Sequence, residues 1–417
     1  MKDSGVEWIG TIPATWTLNK ISAIYEERNE KVSDRDFPPL SVTKQGVVPQ
    51  LETAAKTDNG DNRKLIRKND FVINSRSDRR GSCGISECDG SCSLINTVLK
   101  PRQNMCNAYY SFVFRSEPFA DEFYRWGNGI VDDLWSTKWS NMKRIYIPSP
   151  ELEEQQRIAE YLEVKCRTID AVLIQQQEAI EKLKAYKLSV ITEAVTKGLH
   201  PDVPTKDSGY HFIGTIPKHW TAMRMKHIAV AIGDGIHTTP EYDVDGDYYF
   251  LNGNNIGADF LVFKESTDRL SIQEYQKYKA PLLNEETIFI TLNGATYGKT
   301  SFYHGEKVLL GKSAGYITLN GVVNKSYIRY YLQSRVARTI MELSLCGSTI
   351  ANLSLKTLNN FYIPLPRRDE QDTITTYLDQ RCAQIDSLIS RRQSIIDKLV
   401  EYKKSLIYEV VTGKREV

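Results

Sequence analysis

The sequence predicts an α/β, more strictly α+β, fold: two globular regions joined by two long antiparallel helices that form a coiled coil, repeated in tandem with a pseudo-two-fold relation. Three observations carry this. KDSGVEWIGTIPATW at residues 2–16 returns as KDSGYHFIGTIPKHW at 206–220. EEQQRIAEYLEVKCRTIDAVL at 153–173 returns as DEQDTITTYLDQRCAQIDSLI at 369–389. Each of the latter segments opens a stretch of helix formers, whereas short β-like runs and Gly, Asn and Asp turns occupy what precedes it.

In the first pair Lys2, Asp3, Ser4, Gly5, Ile9, Gly10, Thr11, Ile12, Pro13 and Trp16 recur 204 positions later, and in the second pair the offset is 216. The second intervening region is therefore 12 residues longer. The middles diverge while the ends agree. The predicted order is a globular region over 1–150, a helix over 151–200, a second globular region over 201–366 and a second helix over 367–417.

In the first region FVIN (71–74) reads as a strand, and RKLIRKNDFVINSRSDRR (63–80) is the strongest basic cluster, seven Arg or Lys against two Asp. Arg76, Arg79 and Arg80 follow the strand in a Ser- and Gly-bearing loop, where a guanidinium can reach a phosphate or a guanine edge. Lys44 and Lys138 complete this region's candidate DNA contacts. A solvated charged surface is the alternative reading. Cys83, Cys88, Cys92 and Cys106 contain no CxxC pair, so the zinc signal is poor. YIPSP at 146–150 then stops the region and starts the helix.

From Glu153 to about Lys197 there is no Pro or Gly, and about 45 residues of helix reach roughly 67 Å. Leu162, Ile169, Leu183 and Val190 occupy one heptad core position, and Cys166, Leu173, Ile180 and Ala194 the other, which is a coiled-coil seam. The second helix repeats it with Leu378, Ile385, Leu399 and Leu406 against Cys382, Ile389, Ile396 and Val410. The interruptions recur too: Gln176 with Arg392, and Lys187 with Lys403. The two lysines either fix register or snorkel from the seam. Because only GLHPDVPT separates the first helix from the second region, the helices must run antiparallel, with a globular region at each end in the manner of a caliper.

The second region carries the strand TIFITL (287–292) and then TLNGATYGKTS (291–301), equivalent to the basic loop of the first, with Asn293, Tyr297 and Lys299. Asn suits adenine; Lys suits phosphate or guanine. GATYGKT is no phosphate loop, since only three residues separate Gly294 from Gly298 and a strand follows instead of a helix. His237 in GDGIHTTPEYD and Asn252, Asn254 and Asn255 in LNGNNIG are further candidates. Turn chemistry explains the asparagines equally well, and a lone histidine is more often structural.

Composition bounds the classes. With 41% hydrophobic residues and a net charge of +2, the 417-residue chain has ordinary globular cores and no overall basic excess, so any DNA surface is local. No apolar run of about 18 residues and no leader pattern is present. Seven cysteines, irregularly spaced, argue against a disulfide framework. The cytoplasm is the expected compartment, with no membrane partner.

The duplicated GTIPxxW openings, the EEQQRI and DEQDTI helix starts, YLxxxCxxID in both helices, and the endings KLKAYKLSVITEAVTKGL and KLVEYKKSLIYEVVTGK make the sequence resemble the specificity subunits of type I restriction-modification systems. The resemblance covers nearly the whole chain, with 17–150 and 221–366 as target recognition domains. It implies a non-catalytic subunit whose two domains each read half of an asymmetric, bipartite site in double-stranded DNA, with the helices as spacer. It implies two docked modification subunits methylating adenine with S-adenosylmethionine, and restriction subunits using ATP and Mg. No cofactor is expected in this chain. VTGK (411–414) departs from VTKGL (195–199), which leaves the docking surface there undefined. A free-standing enzyme, a coiled-coil adaptor without DNA binding, and a methylation-only or phage-defence system are the competing readings.

Overall fold

In both halves of the chain a short apolar strand, buried on both faces, becomes the middle of an antiparallel sheet. The computed structural model describes residues 1–51, 60–76, 79–129, 135–294, 296–345 and 352–417. They divide into two compact units: Met1–Gln177 with Gln393–Val417, and Glu178–Arg392.

In the first unit the strand order is Tyr25–Arg28, Asn96–Pro101, Phe71–Asn74, Cys83–Ile85, antiparallel throughout. Phe71, Ile73, Leu99 and Tyr25 pack beneath helices Asn107–Arg115 and Glu117–Arg125, with Tyr110, Phe114 and Phe119 between. Pro118 opens the second of these helices, where a missing amide is harmless. A smaller sheet orders Gly90–Cys92, Arg63–Ile66 and Lys31–Val32, beside the hairpin Leu40–Thr43 and Gly46–Pro49.

The second unit repeats the large sheet in the same order: Ala229–Asp234, Ala314–Leu319, Thr287–Thr291, Thr300–Phe302. Register fixes the correspondence. Tyr25 faces Pro101 as Ala229 faces Leu319, and Phe71 faces Leu99 as Ile288 faces Ile317. The added residues therefore fall between the first two sheet strands in sequence. There the second unit has Tyr248–Leu251 paired antiparallel to Arg269–Leu270 and parallel to Val308–Leu310, with a 3-10 turn at Gly253–Asn255.

The long helices span Leu152–Lys197 and Arg368–Val411. In the first unit the start of one packs on the end of the other, Leu162, Ile169 and Leu173 sharing a cluster with Leu399, Leu406 and Val410. In the second unit Val190 and Ala194 share one with Leu378 and Cys382. The helices are antiparallel in each. Leu162, Ile169, Ile180, Val190, Leu378, Ile385 and Leu406 are buried, and Leu173, Leu183, Ile389, Ile396 and Leu399 half-buried. The lysine interruptions end on the facing helix: Lys403 Nζ lies 2.6 Å from Asp170 in the first unit, and Lys187 Nζ 2.7 Å from Asp386 in the second. Each pair is the repeat of the other.

The duplicated opening is a hairpin that closes on a helix start. Lys2–Asp3 pairs with Thr11–Ile12, and Thr205–Asp207 with Thr215–Pro217. Asp3 and Asp207 accept the amides of Gly5 and Gly209, whose φ of +69° and +77° lie where glycine is favoured. Trp16 Nε1 donates to Glu154 at 3.0 Å, and Trp220 Nε1 to Glu370 at 3.0 Å. Gly413 and Gly198, with φ +68° and +77°, end the long helices beside these same tryptophans. VTGK and VTKGL thus perform one capping task despite a one-residue difference.

Candidate nucleic-acid interface

In the first unit, strand Phe71–Asn74 delivers Arg76 into a pinned position. The Asn74 side chain accepts the Arg76 amide at 3.1 Å, the Ser75 carbonyl accepts the Thr137 amide at 2.9 Å, and Arg76 forms an antiparallel bridge with Ser136. Thr137 is itself anchored, its hydroxyl donating to the Phe123 carbonyl at 2.6 Å. The Arg76 side chain is exposed, as is Lys138. Both line a cleft of about 530 Å³ with Ser136, Thr97 and Trp139. Its wall includes Lys64 and Glu27, 3.4 Å apart.

The basic run of 63–80 is not one surface. Arg63 is buried on Ser91, Lys64 is buried and donates to the Asn96 carbonyl, and Arg67 pairs with Asp89 at 2.5 Å. The Lys68 amide and Arg67 hold the Asp89 carboxyl below its ordinary range. Arg80 pairs with Asp121 at 2.8 Å and lies 4.0 Å from the Tyr124 ring centroid. Arg79 is exposed and its amide donates to the Arg76 carbonyl. Lys44 is exposed in the hairpin turn, its carbonyl accepting from Arg115. Cys83 and Cys92 are buried strand residues whose thiols burial pushes up to about 12 and about 11. Among the described residues no group of three or more His, Cys, Asp or Glu stands together as a metal cluster would.

The second unit builds the same position from other residues. Asn293 bridges Asn352 as Arg76 bridges Ser136, and the Leu353 amide donates to the Leu292 carbonyl at 2.7 Å as Thr137 does to Ser75. Lys138 and Ser354 are the corresponding N-caps of the short helices Trp139–Met142 and Leu355–Asn359. Lys299 is exposed, and Tyr297 is half-buried against the core. Gly298 has φ +77°, and Thr300–Phe302 is a strand.

Asn252 and Asn255 are occupied locally. They form the capping box of the turn Gly253–Asn255, with the Asn252 amide donating to Asn255 Oδ1 at 2.9 Å and Asn255 Nδ2 donating to the Val262 carbonyl at 3.0 Å. Asn254 between them is exposed. His237 is exposed with its ring 3.1 Å from Asp234, three residues back on the strand. Sequence reasoning missed Ser136 and Asn352. Their only signal is position, just before each unit's last short helix.

Residues 217–396 match the family model of the type I restriction modification DNA specificity domain. The MjaX putative type I restriction enzyme specificity subunit of Methanocaldococcus jannaschii is 23% identical over 408 residues, 91% of this chain and 89% of that protein. The MjaVIII specificity subunit of the same organism is 26% identical over 253 residues, 59% of this chain and 56% of that protein. The EcoBI specificity subunit of Escherichia coli is 24% identical over 260 residues, 58% and 52%. The chain thus spans about half the length of two of these relatives. A chain from a structure of type I R-M complex assembly and conformational transition superposes with a TM-score of 0.72 at 17% identity, covering 97% of this chain and 100% of that one. The HsdS subunit from Thermoanaerobacter tengcongensis gives 0.52 at 18% identity, covering 97% and 98%. These two likenesses show the fold.

The family match is to the type I DNA specificity domain and covers residues 217–396, while the superpositions give the fold of nearly the whole chain. With its duplicated architecture, the chain is similar to the specificity subunits of type I restriction-modification systems, the resemblance that the repeated segments carry. No helix among the described residues is long and apolar enough to cross a membrane.

Proposed function

We propose that this chain is the non-catalytic DNA-reading subunit of a cytoplasmic type I complex, each unit reading one half of an asymmetric, bipartite site. The observation that carries the reading is the repeated position after the second sheet strand, identical in backbone pairing and different in side chain: Arg76 with Ser136, Asn293 with Asn352. Two copies of one scaffold with different polar side chains suit two different half-sites. The antiparallel helices set the spacing between half-sites and dock two modification subunits, which supply S-adenosylmethionine-dependent adenine methylation. Restriction subunits, in a system that has them, add ATP- and Mg-dependent translocation and cleavage. Two weakly binding units on one chain gain specificity by engaging together. Footprinting of the assembled complex on selected duplex should show two protected blocks separated by a fixed gap. A single block the length of one half-site refutes the proposal, salt-sensitive DNA binding excludes a protein-only adaptor, and no DNA binding would favour one.

A further inference from the structure

Arg76 and Asn293 stand at the same place in two copies of one fold, yet one is a cation and the other neutral. The phosphate backbone is the same in every half-site. A position devoted to phosphate has no reason to lose its charge between the two units, whereas a position devoted to base edges has every reason to change. Lys138 shows the same contrast, its counterpart Ser354 being engaged as a helix cap that accepts the Thr357 amide at 3.0 Å.

The geometry supports base reading in a second way. Specific contacts need a side chain whose root does not move. Each of these roots is held by an antiparallel bridge, to Ser136 and to Asn352, and by the adjacent amide-to-carbonyl hydrogen bond, Thr137 to Ser75 and Leu353 to Leu292. Arg80 nearby is held by Asp121 and Tyr124, and Asn252 and Asn255 by their capping box. The guanidinium of Arg76 and the carboxamide of Asn293 have no such assignment among the described residues.

We infer that Arg76 and Asn293 are the corresponding specificity-determining residues of the two units. Arg76 donates two hydrogen bonds to O6 and N7 of a guanine in one half-site. Asn293 donates to N7 and accepts from N6 of an adenine in the other. This rests on the reading that each unit recognises one half-site, and it adds the base class and the residue.

The test is selection from a random-sequence duplex library by the full chain, purified with the subunits that accompany it. Arg76→Ala should leave a two-part motif in which one G·C position of one half becomes degenerate, its discrimination falling roughly five- to 150-fold. Asn293→Ala should do the same at one A·T position of the other half. Arg76→Asn should move the affected position from G·C toward A·T, and Arg76→Lys should keep a weakened guanine preference; thermal unfolding of each variant verifies the fold. If Arg76→Ala weakens all sequences equally and leaves the motif intact, Arg76 is a phosphate contact and the inference fails while the bipartite reading stands. If the unsubstituted chain selects no two-part motif, the bipartite reading itself fails.

Discussion

Replacing Tyr109 or Tyr327 by Phe removes a single oxygen from the joint between a globular region and the end of a long helix. Both rings are fully buried. Tyr109 Oη donates to the Val411 carbonyl at 2.9 Å and lies 3.3 Å from that of Pro148. Tyr327 Oη lies 2.7 Å from the Pro364 carbonyl and 3.1 Å from that of Val195. Val411 and Val195 sit in last helical turns, where carbonyls lack an intrahelical partner, so each hydroxyl satisfies an otherwise orphaned group. Phe leaves the ring in place and opens no cavity. The loss is one net hydrogen bond plus the desolvation of buried carbonyls, about 1–3 kcal/mol. Hydrogen exchange followed by mass spectrometry, on peptides covering 96–115 and 314–333, reads the opening free energy of each unit separately. Each substitution should lower it by that amount in the unit that carries it, whereas Tyr146→Phe, at an exposed site, should stay within about 0.5 kcal/mol. Changes below about 0.5 kcal/mol, or a large loss in one unit and none in the other, would refute the reasoning that the two joints are the same device.

Double-mutant cycles on Asp170 with Lys403 and on Asp386 with Lys187 should each give a coupling of about 0.2–1 kcal/mol, because the partners are a quarter to half exposed; exchanging the charges across one pair should restore stability lost by either reversal alone. Gly413→Ala should cost more than Gly198→Ala in denaturation midpoint. Both have positive φ, worth about 1–2 kcal/mol, but a Cβ at 413 falls 2.3 Å from Pro13 Cδ and one at 198 only 3.3 Å from Trp220 Cζ2. Burial raises the phenols of Tyr25, Tyr109 and Tyr327 well above their ordinary value. Above about pH 10 the unfolded chain loses these protons while the fold retains them, so stability should be intact below that pH and fall above it by up to about 1.4 kcal/mol per pH unit per tyrosine. A pH titration of urea midpoints that stays flat from 9 to 11 would contradict this.

The long helices are legible almost to the residue, since Pro and Gly resume where helix stops: Glu153 to about Lys197 is expected and Leu152–Lys197 observed. The strands FVIN and TIFIT were legible as apolar runs, and their equivalence followed from the repeat. What pairs with what was not. The basic run looked like one surface because sequence cannot show that Arg63 and Lys64 point into the protein or that Asp89 and Asp121 neutralise Arg67 and Arg80. Asn252 and Asn255 look like base readers and turn residues alike, and only the capping box decides their local role. The identity of the repeated openings has a folding cause visible only in three dimensions: Trp16 needs Glu154, and Tyr408 donates to the Trp8 carbonyl some four hundred residues away.

The proposed division of labour between the two units is tested most directly by exchanging residues 17–150 for the corresponding segment of a type I specificity subunit and mapping methylated adenines after expression with modification subunits. The account predicts a two-part motif in which one half changes, the other half persists and the gap keeps its length. A motif altered in both halves, or unaltered in either, would contradict it.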